Sequence, residues 1–177
     1  MYSIKNFTPR LYQETILATA AQKNTLVVLA TGLGKTNIFL MLAAHRLKLY
    51  PKSKILLLGP TRPLIDQYRQ VFLENFEIGQ DELVTLTGMV APEKRQQLWK
   101  QAKVIFSTPQ GLENDLISGR ISLEDVALLG FDEAHRATGE YAYVWIGKQY
   151  LRQAKFARVL ALTASPGSEI ETITEVA

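Results

Sequence analysis

"LATGLGKTNIFLML", residues 29–42, carries one apolar run through a glycine loop into a second apolar run. The first run, TLVVLA (25–30), reads as a strand, and NIFLMLAA (37–44) reads as a buried helix. Between them Gly32 and Gly34 allow backbone amides to turn inward, towards a helix N-terminus that adds a positive dipole end. Strand, glycine loop, Lys-Thr and helix, in that order, form the context a phosphate site requires. Thr31, Gly32, Leu33 and Gly34 would wrap the phosphates, Lys35 would reach the β and γ phosphates, and the Thr36 hydroxyl would hold Mg²⁺. The first glycine of the common G-x-x-x-x-G-K-[ST] pattern is missing, and Leu29 stands in its place.

The same alternation continues along the chain. Further strand candidates are KILLLG (54–59), LVTL (83–86), KVIFS (103–107), VALLGF (126–131) and RVLALT (158–163). They are rich in Val, Ile and Leu without alternation, as strands covered on both faces are. Helical stretches lie between them. One has Thr8 as N-cap and Pro9 at its first position and runs to Ala21. Another, 62–76, sets Leu64, Ile65, Tyr68, Val71 and Phe72 on one stripe. Thr108-Pro109 repeats the cap-then-proline signal. Repeated β-then-α order predicts an α/β fold with a mostly parallel sheet and helices on both faces. In such sheets ligands sit at the carboxyl ends of the strands, and the polar residues of this chain cluster there.

Composition narrows the function classes. With 47% hydrophobic and 21% charged residues, the 177-residue chain is an ordinary globular domain, large enough to bury roughly 70% of its unfolded surface. No apolar stretch reaches the ~18 residues of a membrane span, so a membrane is not an expected partner. The N-terminus lacks an apolar core of signal-peptide type, which argues against secretion. Zero cysteines exclude a disulfide scaffold and a Cys-based zinc site, and two histidines are too few for a histidine-based one. A net charge of +3 is permissive of a polyanionic partner without demanding one. Lys94, Arg95, Lys100 and Lys103, with Glu93 beside them, read as a solvated helix face.

About a hundred residues after the glycine loop, LLGFDEAH (128–135) places Asp132 and Glu133 just past a strand. The first carboxylate can order Mg²⁺ through water. The second can take a proton from the water that attacks the γ phosphate. Lys35, Asp132 and Glu133 are therefore the candidate catalytic set, with Thr36 and Asp132 on the metal.

The pair A-x-G-x-G-K-T and D-E-A-H resembles superfamily 2 helicases, whose loop commonly lacks the first glycine. The resemblance implies a RecA-like three-layer α/β/α sandwich, ATP and Mg²⁺ as cofactors, and roles for further residues. Arg10 and Gln13 look like the Q motif, in which a glutamine amide donates and accepts at once on the adenine edge. Pro60, Thr61 and Arg62 look like motif Ia. Gly88, Thr108, Pro109 and Gln110 fall in the next nucleic-acid-contacting motifs, where hydroxyls and amides position a sugar-phosphate backbone without reading sequence. His135, Thr163 and Ser165 correspond to residues that couple hydrolysis to strand movement; on its own terms His135 reads as structural.

PTRPLIDQ, TPQGLENDL, FDEAHRATGEYAY and LTASPGS are similar to the archaeal Hef helicase-nuclease and its eukaryotic relatives of the FANCM branch. That resemblance implies an ATP-driven motor on branched or forked DNA, located in an archaeal cytoplasm or nucleoid, or in a eukaryotic nucleus. It also implies that residues 1–177 are the first of two RecA-like domains, and that the second, with its arginine finger, is a partner from the same longer protein. Such fingers are worth roughly 10³–10⁵ in turnover, so the chain alone is expected to bind ATP and hydrolyse it slowly. Two other readings remain open at this point. One is a duplex-RNA ATPase of the Dicer and RIG-I-like type, and the other is a non-catalytic nucleotide-binding module or a metabolic phosphate-loop enzyme.

Overall fold

The computed structural model describes residues 4–5, 8–29, 34–133 and 141–163. The six apolar runs form six strands: β1 Thr25–Val28, β2 Lys54–Leu58, β3 Leu83–Leu86, β4 Val104–Ser107, β5 Val126–Phe131 and β6 Val159–Thr163. Every pairing in the sheet is parallel, in the order β1-β6-β5-β2-β4-β3. The helices are α1 Leu11–Ala20, α2 Lys35–Leu49, α3 Arg62–Asn75, α4 Pro92–Gln101, α5 Pro109–Ile117 and α6 Tyr141–Gln153.

Side chains of a strand alternate between faces, and here each face meets a helical layer. Ile55 and Leu57 of β2 join Val104, Phe106, Leu128 and Leu160 under α1, α2 and α3. Leu56 and Leu58 join Ile105, Leu129, Phe131 and Ala161 under Trp99 of α4, Leu112 of α5, and Tyr143, Ile146 and Tyr150 of α6. Burial on both faces explains the unbroken apolar runs. The result is the expected α/β/α sandwich.

α2 is buried over Ile38 to Ala43 because it is packed on several sides. Its approach depends on Gly130 of β5, where a Cβ would lie 2.4 Å from Phe39 Cε1 and 2.8 Å from Leu57 Cδ1. At its far end Arg46 donates from Nε to Ala127 O and from Nη2 to Phe156 O, each at 2.8 Å. These bonds fasten α2 to the amino end of β5 and to the approach to β6.

One helix start differs from expectation. α1 begins at Leu11 with Arg10 in the capping position, two residues later than Thr8 and Pro9 suggested. Gln13, at the third helical position, accepts the Arg10 backbone N–H at 2.9 Å, and this half of a capping box sets the start. α5 does begin at Pro109 after Thr108, but the threonine hydroxyl makes no capping bond.

Candidate functional site

Three strands at one side of the sheet, β1, β6 and β5, carry the candidate nucleotide residues at or just beyond their carboxyl ends. β1 runs on into Leu29, whose N–H donates to Thr163 O of β6 at 3.2 Å, so Leu29 is still paired to the sheet. Thr31, Gly32 and Leu33 lie outside the described residues, as do His135 and Ser165. Gly34 follows with φ +81°, in the left-handed region, as N-cap of α2. A Cβ there would sit 2.4 Å from Gln13 Nε2. Glycine is therefore required twice over, by backbone angle and by space.

Gln13 is 3% exposed and makes two backbone contacts. Its Oε1 accepts from Arg10 N–H, and its Nε2 donates to Gly34 O at 3.3 Å. One donor and one acceptor site of the amide remain. The residue expected to read adenine therefore also fastens α1 to the phosphate loop. Arg10 is exposed beside it.

Asp132 continues β5, donating its N–H to Leu58 O of β2 at 2.9 Å. Its side chain is buried, and Oδ1 has no hydrogen-bond partner. Burial pushes the carboxyl above its ordinary value; the charge of Lys35, the Tyr68 hydroxyl and the Glu133 N–H oppose the shift. A buried carboxylate oxygen without a partner is costly unless something fills the need. With the Thr36 hydroxyl at the start of α2, it offers hard oxygen ligands of the kind Mg²⁺ takes. No group of three or more metal-ligating side chains exists among the described residues.

Glu133 stands next to it with φ +55°, the single non-glycine residue with positive φ among those described. The left-handed backbone costs roughly 1–2 kcal/mol. Strain of this kind gathers at functional sites, where surrounding structure holds it in place. One contact that the sequence pattern did not reveal braces this corner. Tyr143 of α6 donates to Asp132 O at 3.1 Å from one face of the sheet. Tyr68 of α3 is buried on the other face, and burial with the charge of Asp132 pushes its hydroxyl well above the ordinary value.

The remaining strands, β2, β4 and β3, carry the nucleic-acid candidates. Thr61 caps α3 by position without a side-chain bond, and Arg62 is exposed, with only a 3.7 Å contact to Asp66. Gly88 is exposed with open space around its Cα. It meets the first turn of α5, where a Cβ on Gly111 would lie 3.5 Å from Gly88 N. Gln110 is exposed there, Thr108 and Pro60 are half-buried, and Pro109 is buried. The structure thus gathers Pro60, Thr61, Arg62, Gly88, Thr108 and Gln110 along one rim, with uncommitted hydroxyls on Thr61 and Thr108.

One expectation for this region is corrected. Arg95 is not part of a solvated face: it is 6% exposed and forks onto Asp115 of α5, with Nε to Oδ2 at 2.7 Å and Nη2 to Oδ1 at 2.8 Å. Its third nitrogen donates to Val90 O, in the loop after Gly88. Arg120 adds a second, partly exposed contact to Asp115 at 3.1 Å. The charge pattern around Glu93 hid this pair, because its partner is twenty residues away in sequence. Lys103 is half-buried and donates to Pro51 O, so it too is committed to the fold.

Comparison with known proteins adds the family. The DEAD/DEAH box helicase model matches residues 10–173. The chain belongs to the DEAD/DEAH box helicase family. This helicase-family domain is similar to the crystal structure of the Pyrococcus furiosus Hef helicase domain, with a TM-score of 0.89 and 54% identity over 95% of this chain. It is 42% identical over 97% of its length to a provisionally named ATP-dependent RNA helicase of Methanocaldococcus jannaschii. It is 39% identical, again over 97% of its length, to the Drosophila melanogaster DEAD-box ATP-dependent DNA helicase Fancm. The helicase-family domain spans 36% of the Hef chain, and 22% and 12% of the two curated relatives. Its RecA-like fold and its kinship to Hef and FANCM agree with the motifs. No described helix is long and apolar enough to cross a membrane.

Proposed function

We propose that this chain is the ATP-binding half of an ATP-dependent DNA helicase or translocase that remodels branched DNA, acting in a nucleus or nucleoid. The observation that carries the reading is the Asp132 carboxylate. It is buried with Oδ1 unpartnered, and it is grouped with Lys35, Thr36 and Glu133 at the strand ends next to the Thr61/Gly88/Thr108 rim. Lys35 would neutralise the β and γ phosphates, while Gly34 and the α2 N-terminus, pinned by Gln13, present N–H donors to them. Thr36 and Asp132 would hold Mg²⁺, which would supply positive charge to offset that of the phosphates. Glu133 would accept the proton of the attacking water. Thr31, Gly32 and Leu33 would complete the loop, and His135, Thr163 and Ser165 would link hydrolysis to movement along the strand.

The exposed rim suits sugar-phosphate contact, which fixes position rather than sequence. A second RecA-like domain in the same protein would face it and supply the arginine finger. The names of relatives called ATP-dependent DNA helicases, Fancm of Drosophila melanogaster and mph1 of Neurospora crassa, support DNA as the track. The name of the Methanocaldococcus relative favours RNA as the second reading.

Competition at fixed salt decides between the two, because phosphate contacts make affinity strongly salt-dependent. A forked DNA and an RNA duplex of equal charge are titrated against a labelled fork bound to this chain with Mg-ATP. DNA is expected to compete more strongly. RNA competing equally or better would overturn the DNA assignment.

A further inference from the structure

We propose that the buried Arg95–Asp115 pair positions the protein on nucleic acid. It acts as a strut that fixes the Thr87–Val90 turn against α5, so that Gly88 and the Thr108–Gln110 segment meet one sugar-phosphate backbone at a set spacing. The proposal rests on the nucleic-acid reading of the rim given above. It deepens that reading by assigning a role to two side chains too buried to touch the strand themselves.

The two rim segments leave neighbouring strands. The turn follows β3 and α5 follows β4, and the pairing of those strands ends at Leu86 and Ser107. Past that point other contacts must hold the segments together. The turn is closed by its own bonds: Val90 N–H donates to Thr87 O at 3.1 Å, and Met89 N–H donates to Thr87 Oγ1 at 3.3 Å. Thr87 is buried, so that hydroxyl serves the turn. Gly111, in the first turn of α5, lies against the Thr87–Gly88 peptide, where a Cβ on it would be 3.5 Å from Gly88 N and 3.6 Å from Thr87 C.

Arg95 supplies the tie. From α4 its Nε and Nη2 fork onto the Asp115 carboxylate, and its Nη1 donates to Val90 O. One guanidinium thus joins α4, α5 and the turn. Its donors are fixed in a plane, so the three bonds set angle as well as distance. Arg120 holds Asp115 Oδ1 as well, with Nε at 3.2 Å and Nη2 at 3.1 Å, so the carboxylate end of the strut is fixed too. A buried ion pair is often no more stabilising than a well-packed apolar pair, so fixed geometry is what this one adds. Phosphate contacts set a protein's register on its track, and their spacing is dictated by the nucleic-acid backbone. A rigid separation between exposed Gly88 and exposed Gln110 meets that need.

Replacing both partners, Arg95→Met with Asp115→Leu, strands no charge and leaves Val90 O without its Arg95 donor. Fluorescence anisotropy of a labelled forked DNA at fixed salt reads DNA affinity, circular dichroism reads the fold, and a nucleotide titration without DNA reads Mg-ATP affinity. The folded double variant is expected to bind Mg-ATP as wild type does and to lose roughly tenfold in DNA affinity, the scale of one hydrogen bond to a charged group. Two single variants carry the test independently. Arg95→Lys keeps a charge opposite Asp115, but one ammonium cannot reproduce the planar fork together with the Val90 bond. Thr87→Val unties the turn without touching the pair. Both should weaken DNA binding and spare Mg-ATP. If the pair were merely structural, the folded double variant and Arg95→Lys would bind DNA as wild type does, and that result overturns the proposal. Equal losses of DNA and Mg-ATP affinity would overturn it too, because the effect would then be general. Arg62→Ala and Gln110→Ala are the controls for the rim. If both bind forked DNA as wild type does, the rim reading itself fails. If they weaken binding while the Arg95 variants do not, only the strut is overturned.

Discussion

Replacing Arg95 with methionine keeps most of the side-chain volume and removes the fork that grips Asp115. The Asp115 side chain is 1% exposed and that of Arg95 7%, so the variant strands a carboxylate in the interior. Breaking a buried pair by removing one partner costs about 3–5 kcal/mol. Arg120 stays bonded to Asp115 Oδ1 at 3.1 Å and is 32% exposed, which holds the loss to the lower end, about 3 kcal/mol. For a domain of this size each kcal/mol moves the midpoint by about 2–4 °C, giving an expected drop of about 6–12 °C. Thermal and urea unfolding followed by circular dichroism measure it. The second arm adds Asp115→Leu. With both charges gone, the site is an apolar contact, and replacing such pairs is often near neutral. The double variant should recover at least half of the loss, while Arg120 turns to solvent. Because Arg95 also bonds Val90 O, the single variant should loosen the loop beside Gly88 and weaken DNA binding even well below its midpoint. A single-variant loss under about 0.5 kcal/mol, or a double variant no better than the single, would refute the account of this pair.

Other consequences are as direct. Lys35→Ala should weaken ATP binding by roughly 10- to 150-fold, the range for a lost hydrogen bond to a charged group, whereas Glu133→Gln should bind normally and stop hydrolysis, since an amide cannot accept the proton. Equal binding by wild type and Lys35→Ala in a fluorescent-nucleotide titration would remove the site assignment. Gly34→Ala combines a left-handed backbone worth roughly 1–2 kcal/mol with a clash against Gln13, so it should lower both the unfolding midpoint and ATP affinity. An unchanged midpoint would show that neither the angle nor the contact matters. Tyr150 donates to Val126 O at 2.9 Å and accepts Arg158 N–H at 3.0 Å; burial pushes its hydroxyl up to about 12. A raised folded value means that its contribution to stability is complete below about pH 10 and is lost as the pH rises towards 12. Tyr150→Phe should flatten that alkaline decline, and an ultraviolet titration should show one fewer late-ionising tyrosine.

Much of this fold could be read directly from the order of residues, for a physical reason. Strands buried on both faces leave uninterrupted apolar runs, and all six runs are strands within two residues of their expected ends. Strand ends then locate the polar residues, so Asp132, Thr61 and Thr108 could be placed before any coordinates. Capping was less legible. Thr8 and Pro9 looked like a helix start, but Gln13 captured the Arg10 amide and set the start later, which local propensity does not register. Arg95 was misread because its partner is distant in sequence, and a run of mixed charge looks the same whether it faces water or a buried carboxylate. Tyr68 was hidden differently. Its spacing with Ile65 and Phe72 is that of an apolar stripe, and only the third dimension sets its ring edge-on to Phe39 of α2. The left-handed backbone of Glu133 has no signature in composition at all.

The central claim is that this chain forms an ATP-binding site that needs a second domain to turn over. Calorimetric titration of Mg-ATP into the chain, with forked DNA present, tests it most directly. The account predicts heat that saturates at one nucleotide per chain and then ceases. Heat that continues as steady turnover near one per second, or no saturable heat at all, would contradict it.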